Sequence, residues 1–124
     1  MLRTLRIAAI LALAAGLVAT VAPVAGALDP DAPCVSVSGG SACGQAQAHP
    51  CAIATAEGQA TVAVDWELRM WTYSSLYGWR TASDTMQDST TFVGYVSDWC
   101  ATDTCTWAAL YADGVLVDAP PGVC

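Results

Sequence analysis

The sequence predicts an all-β domain, a small antiparallel β-sandwich or barrel-like meander stapled by disulfides. Three observations predict it. Val62, Val64, Trp66, Leu68 and Met70 recur at every second position, the period of a strand with one buried face. Six cysteines fall within 124 residues, the density of a disulfide framework. Turn signals, among them Gly39-Gly40, Asp113-Gly114 and Pro120-Pro121-Gly122, punctuate the chain.

Residues 1–27 read as a secretory signal, not as fold. Arg3 and Arg6 form the positive start, an apolar run begins at Ile7, and Ala25-Gly26-Ala27 is a small-x-small cleavage site. Cleavage puts the mature start at Leu28 and leaves no membrane span. The rival reading retains the segment as an anchor, because residues 7–28 are uncharged and long enough to cross a bilayer. Residues 28–124 form a single domain by length.

Beyond residue 27, Arg69 and Arg80 stand against eleven acids, and the chain has no lysine and no asparagine. A nucleic-acid partner is excluded for want of cations to neutralise phosphates. N-glycosylation is excluded for want of its acceptor. The acidic balance favours solubility and reads equally as an imprint of habitat.

The elements follow in order. Residues 28–50 are loop-rich, with one short strand at 35–38. Residues 51–56 should pair with 61–66 through a turn at 57–60, placing Ile53 opposite Val64 and Cys51 opposite Trp66. Residues 60–72 form one amphipathic strand with Val62, Val64, Trp66, Leu68 and Met70 inward. Residues 77–89 read as turns around a short strand near 79–82. Residues 90–100 and 105–112 should form a hairpin, and Asp113-Gly114 a second, tight one to Val115-Leu116. The face of this meander bearing Val93, Tyr95, Trp99, Leu110, Ala112, Val115 and Val117 is the more apolar, so it is assigned to the core. Phe92, Trp107, Tyr111 and Leu116 are left outside with Asp98.

Cys100-Ala-Thr-Asp-Thr-Cys105 followed by a strand and Asp113-Gly114 resembles the late disulfide hairpin of the neocarzinostatin-type apoproteins. Those are secreted Ig-like sandwiches, so the resemblance implies a sandwich. Cys34, Cys43, Cys51 and Cys124 depart from that family's four-cysteine pattern, and no membership is drawn.

Within the hairpin, Cys100–Cys105 is the locally favoured bridge. The remaining cysteines pair as Cys34–Cys43 with Cys51–Cys124, or as Cys34–Cys51 with Cys43–Cys124.

Catalytic chemistry is poorly represented, and the sequence reads as non-enzymatic. The one histidine, His49, sits beside Pro50, and no nucleophile elbow or phosphate loop occurs. Asp65 and Glu67 could form a carboxylate pair, but beside Arg69 they read more simply as a solvated strand face. No metal site and no cofactor are indicated.

The aromatics carry the functional expectation. All ten lie between Trp66 and Tyr111, more than one small core needs. Trp71, Tyr73, Tyr77, Trp79, Trp107 and Tyr111 are the candidate ligand-binding residues, unless a second layer of the fold covers them. The chain is therefore expected to be a secreted, extracellular binding or cell-surface interaction module. Its partner would be a protein, a polysaccharide or a small hydrophobic ligand. The alternative is a small secreted enzyme inhibitor or toxin-like effector, presenting the loop 101–104 or the segment 74–77 to its target. A hydrolase built on Asp65 and Glu67 ranks last.

Overall fold

The computed structural model describes residues 28–124. Before them it describes only the backbone of β1 (Ile10–Ala14) and β2 (Gly16–Val18), paired with one another. The signal-peptide reading of residues 1–27 otherwise falls outside the described residues. The domain consists of β3 (Cys34–Val37), β4 (Gly40–His49), β5 (Ile53–Ser74), β6 (Gly78–Ser97), β7 (Cys105–Ala112) and β8 (Val115–Asp118). These six strands form one antiparallel sheet, nearly closed into a barrel.

The architecture follows from one long hairpin. β5 and β6 pair from Ile53↔Ser97 to Ser74↔Gly78. On its other edge β5 pairs first with β4, up to Ala42↔Ala60, and then with β7, from Trp66↔Ala112. The ladder is interrupted at the changeover. From Gln59↔Thr91 to Val64↔Ser89 β5 carries extra residues, and the register shifts again before Trp66↔Met86. Such bulges bend a strand sharply. The bend folds the hairpin over, so its first half with β3 and β4 faces its second half with β7 and β8.

Asp65 secures the corner. Its carboxylate accepts the backbone N–H of Asp88 at 2.9 Å, and Asp88 has the left-handed φ of 55°. The backbone N–H of Asp65 donates to the Asp113 carboxylate at 2.8 Å, and its carbonyl accepts the Asp113 N–H at 2.8 Å. Asp65 is thus a structural acceptor.

The core sits between the two halves and is asymmetric. The first half contributes mostly small residues: Ala42, Ala46, Ala48, Ala54 and Ala56. The second contributes Val64, Trp66, Leu68, Met70 and Leu110. Small residues in one layer leave room for large ones in the other. The indole of Trp66 lies flat on Phe92, with centroids 5.8 Å apart and planes 5° apart, and donates to Ser89 O at 2.9 Å. A Cβ on Gly58 would run into Trp66, and one on Gly94 into Phe92.

The expected inward set of β5 is present: Val64, Trp66, Leu68 and Met70 are buried and Val62 packs against them. The turn at 57–60 is corrected. β5 runs straight through it, and Gly58 is there for the approach of Trp66, not for a turn. The loop expected before residue 51 is largely β4. Its Ala, Gly and Gln residues have low strand propensity, but Ala42, Ala46 and Ala48 supply the small buried face. Likewise β6 is continuous over the stretch read as turns around a short strand.

The hairpin expected between residues 90–100 and 105–112 is also corrected. β7 pairs with β5 and β8, not with β6. Without that pairing the assumed register of β6 falls away, and its faces exchange. Phe92, Gly94 and Val96 point inward, while Val93, Tyr95 and Trp99 are exposed. Leu110, Ala112 and Val117 are core as expected, but Val115 is exposed. The Asp113-Gly114 turn joins Ala112↔Val115, both its residues at positive φ as a two-residue hairpin turn requires.

All six cysteines are paired. Cys34–Cys43 joins β3 to β4 across a directly paired position. Cys100–Cys105 and Cys51–Cys124 do not form. The bridges are Cys51–Cys100 and Cys105–Cys124. Cys51 and Ala52 occupy the left-handed turn between β4 and β5, with φ of 71° and 63°. That turn is held by the disulfide to Cys100, by Ala52 N–H donating to Thr106 Oγ1 at 3.0 Å, and by Asp98 N–H donating to Ala52 O at 3.0 Å. The Cys100–Cys105 piece therefore lacks the disulfide hairpin on which the neocarzinostatin-type resemblance rested.

Candidate functional site

Parity of the strands builds the site. With the even-numbered residues of β5 inward, Glu67, Arg69, Trp71 and Tyr73 line its outer face. Cross-strand pairing places neighbours beside each one. Trp79, Tyr73 and Cys105 form one row, and Thr81, Trp71 and Trp107 the next. Ser83, Arg69 and Ala109 form the third, and Thr85, Glu67 and Tyr111 the fourth. Five of the six candidate aromatics, Trp71, Tyr73, Trp79, Trp107 and Tyr111, therefore share a single sheet face. On it Trp79 is 66% exposed and Tyr73 42%, whereas Trp71, Trp107 and Tyr111 are half-buried.

Trp79 is the centre of the cluster. Its ring centroid lies 5.2 Å from that of Tyr73 and 5.3 Å from that of Trp107, with interplanar angles of 54° and 36°. These are favourable tilted aromatic contacts. Trp107 is itself held by the C-terminal segment. The chain ending at Cys124 returns to β7 through the Cys105–Cys124 disulfide and paired hydrogen bonds between Thr106 and Val123. Gly122 then lies so close to the Trp107 indole that a Cβ would collide with it.

Arg69 and Glu67 form the polar end of the face. Arg69 Nε and Nη2 donate to the two Glu67 carboxylate oxygens at 3.1 and 2.8 Å. The Arg69 guanidinium carbon also stands 4.7 Å from the Tyr111 ring centre and 5.8 Å from that of Trp71, within cation–π range. The hydrogen bonding that Arg69 donates to the Glu67 carboxylate is the main cause that raises the Arg69 pKa. Between this pair and β6 lies a shallow depression of about 420 Å³, lined by Glu67, Arg69, Trp71, Thr81, Ala82 and Ser83.

Tyr77 does not join the face. It lies in the β5–β6 turn, its N–H donating to Ser74 Oγ at 3.0 Å, with the Arg80 guanidinium 5.8 Å from its ring centre. Leu76 at the turn tip is 71% exposed. This turn and the loop 101–104 are tied together by Ser75 N–H donating to the Asp103 carboxylate at 2.9 Å. Sequence reasoning missed the exposure of Val93 and Tyr95. They line, with Gln45, Gln47, Thr55 and Glu57 among others, an open groove of about 910 Å³ on the other half of the sheet.

Neither candidate carboxylate is free. Asp65 holds the corner and Glu67 holds Arg69. His49 Nε2 and Thr55 Oγ1 are 2.8 Å apart, hydrogen-bonded at the end of β4. Among the described residues no three His, Cys, Asp or Glu side chains cluster to hold a metal ion. No family model, no curated protein and no solved structure matches this chain.

Proposed function

We propose that the protein is a secreted, non-enzymatic binding or cell-surface interaction module whose recognition surface is the outer face of β6, β5 and β7. The observation that carries this reading is the gathering of Trp71, Tyr73, Trp79, Trp107 and Tyr111 on one sheet face, with Trp79 and Tyr73 open to solvent. The interior is filled without them, by Trp66, Phe92, Leu68, Met70 and Leu110 against a layer of alanines. The exposed areas of Trp79 and Tyr73 add nothing to folding, and rigid aromatics in a cluster are effective recognition groups. Three disulfides in a small domain are compatible with an extracellular location. Retention of the protein by the producer's envelope and secreted material tests the reading. Wild type should be retained, and Trp79→Ala should be released at unchanged melting temperature. Equal retention of both removes the aromatic face from the account.

A second reading rests on Leu76. An exposed apolar residue on a turn tied to the neighbouring loop through Asp103 is a shape suited to an enzyme inhibitor. Stoichiometric inhibition of a protease or amylase, lost in Leu76→Ala, would favour it.

A further inference from the structure

We infer that the ligand of the aromatic face is an uncharged polysaccharide chain, an inference that rests on the binding reading above and specifies its ligand. The charge of the face is the first argument. Among the residues of its four rows, Arg69 is the one cation and Glu67 the one anion, and they neutralise each other. Arg80, the other arginine of residues 28–124, is paired with Asp98 at 3.2 Å. Among the described residues no arginine is left unpaired for a phosphate, sulfate or carboxylate ligand, and a net charge of −9 on residues 28–124 repels one. A cationic ligand finds no unpaired acid on this face.

Shape is the second argument. The rows span three strands and four same-face positions, roughly 10 Å by 20 Å between Cα positions at standard strand spacings. That strip is about twice as long as it is wide. It is also open, whereas a small hydrophobic ligand needs a concavity that encloses most of its surface. A narrow, open strip fits an extended chain lying along it.

Chemistry is the third. The electron-rich faces of Trp79 and Tyr73 attract the weakly positive C–H edges of a sugar ring, as they attract the edges of other rings. The flanking groups then meet its hydroxyls. Arg69 and Glu67 present donors and acceptors at the edge of the depression beside Trp71. Thr81, Ser83 and Thr85 add a row of exposed hydroxyls along β6. Apolar faces beside paired donors and acceptors match a sugar, which has both.

The test is co-sedimentation of the mature protein with insoluble cellulose, chitin, β-1,3-glucan and starch granules, at low and at molar salt. Wild type should pellet with at least one of them equally at both salt concentrations, since no charge is exchanged. Trp79→Ala should weaken that association by about tenfold or more at unchanged melting temperature, and Trp79→Phe should keep part of it. Failure to pellet with any of the four, while wild type is still retained by the producer's envelope through Trp79, would overturn the glycan inference and spare the binding reading. Loss of pelleting at molar salt would overturn it as well. Failure on both materials would sink the two together.

Discussion

The carboxylate of Asp118, the last residue of β8, accepts the backbone N–H of Ala46 in β4 at 2.8 Å. It closes a seam where no strand ladder runs. The opposite seam, between the two halves of bent β6, is closed the same way: the Asp84 carboxylate accepts the Tyr95 N–H at 3.1 Å. Seven of the nine aspartates accept a backbone N–H. The acidic composition thus has a structural cause, since Asp offers two acceptor oxygens on a short, stiff stem. Asp118→Ala should destabilise the domain by about 1–3 kcal/mol by orphaning that part-buried N–H. Asp118→Asn, which retains an acceptor oxygen, should cost less. Urea denaturation checks the order.

Acid should act through two particular aspartates. The Arg80 guanidinium, helped by the Trp99 N–H, holds the Asp98 carboxyl below its ordinary range. The hydroxyl and N–H of Ser75 do the same for Asp103. A depressed folded-state pKa contributes stability that is complete above the unfolded value of roughly 4 and is lost as pH falls through the folded value. Melting temperature should therefore fall as pH drops below roughly 4, and Asp98→Asn should lower the plateau while flattening that fall. An acid limb identical in wild type and variant would mean that Asp98 is not a contributor.

The three disulfides should differ in worth. Cys51–Cys100 spans 49 residues, Cys105–Cys124 spans 19 and Cys34–Cys43 spans nine. Loop-closure entropy gives about 4 kcal/mol for the first, about 3.2 kcal/mol for the second and about 2.6 kcal/mol for the third. Cys51 also pins a turn in which two non-glycine residues hold left-handed φ. The Cys51→Ser/Cys100→Ser variant should be the least stable of the three double variants by chemical denaturation.

Gly122 should be a positioning residue for the aromatic face. Gly122→Ala must push the Trp107 indole outward or lift the C-terminal strap. The cost of such overpacking is about 1–3 kcal/mol. Trp107 should become more solvent-exposed, red-shifting its emission. That shift should vanish when Trp107→Phe is added.

The fold class and the central strand were legible because alternation from Val62 to Met70 survives in β5 with its predicted faces. The aromatic face was legible for a related reason. Trp71 and Tyr73 continue the parity of Glu67 and Arg69, so their outward direction is written in the same alternation. What was not legible was long-range. Alanine-rich β4 lacks strand propensity and is a strand because the large side chains opposite it need a shallow layer. Gly58 reads as a turn in isolation and as clearance once Trp66 is placed above it. Cys100 and Cys105 are near in sequence, but each follows its own strand to a distant partner. The faces of β6 are the reverse of those expected because the expected register depends on a Cys100–Cys105 bridge that does not form.

The central claim is that the outer face of β6, β5 and β7 is where this protein meets its ligand. Hydroxyl-radical footprinting of the free protein and of the protein bound to the producer's envelope reads this residue by residue. Tyr73 and Trp79 should be oxidised in the free state and protected in the bound state. Tyr95, 59% exposed on the other half of the sheet, serves as the internal control and should be oxidised equally in both. Protection of Tyr95 with Tyr73 and Trp79 unchanged would contradict the account and move the binding surface to the groove of the first half.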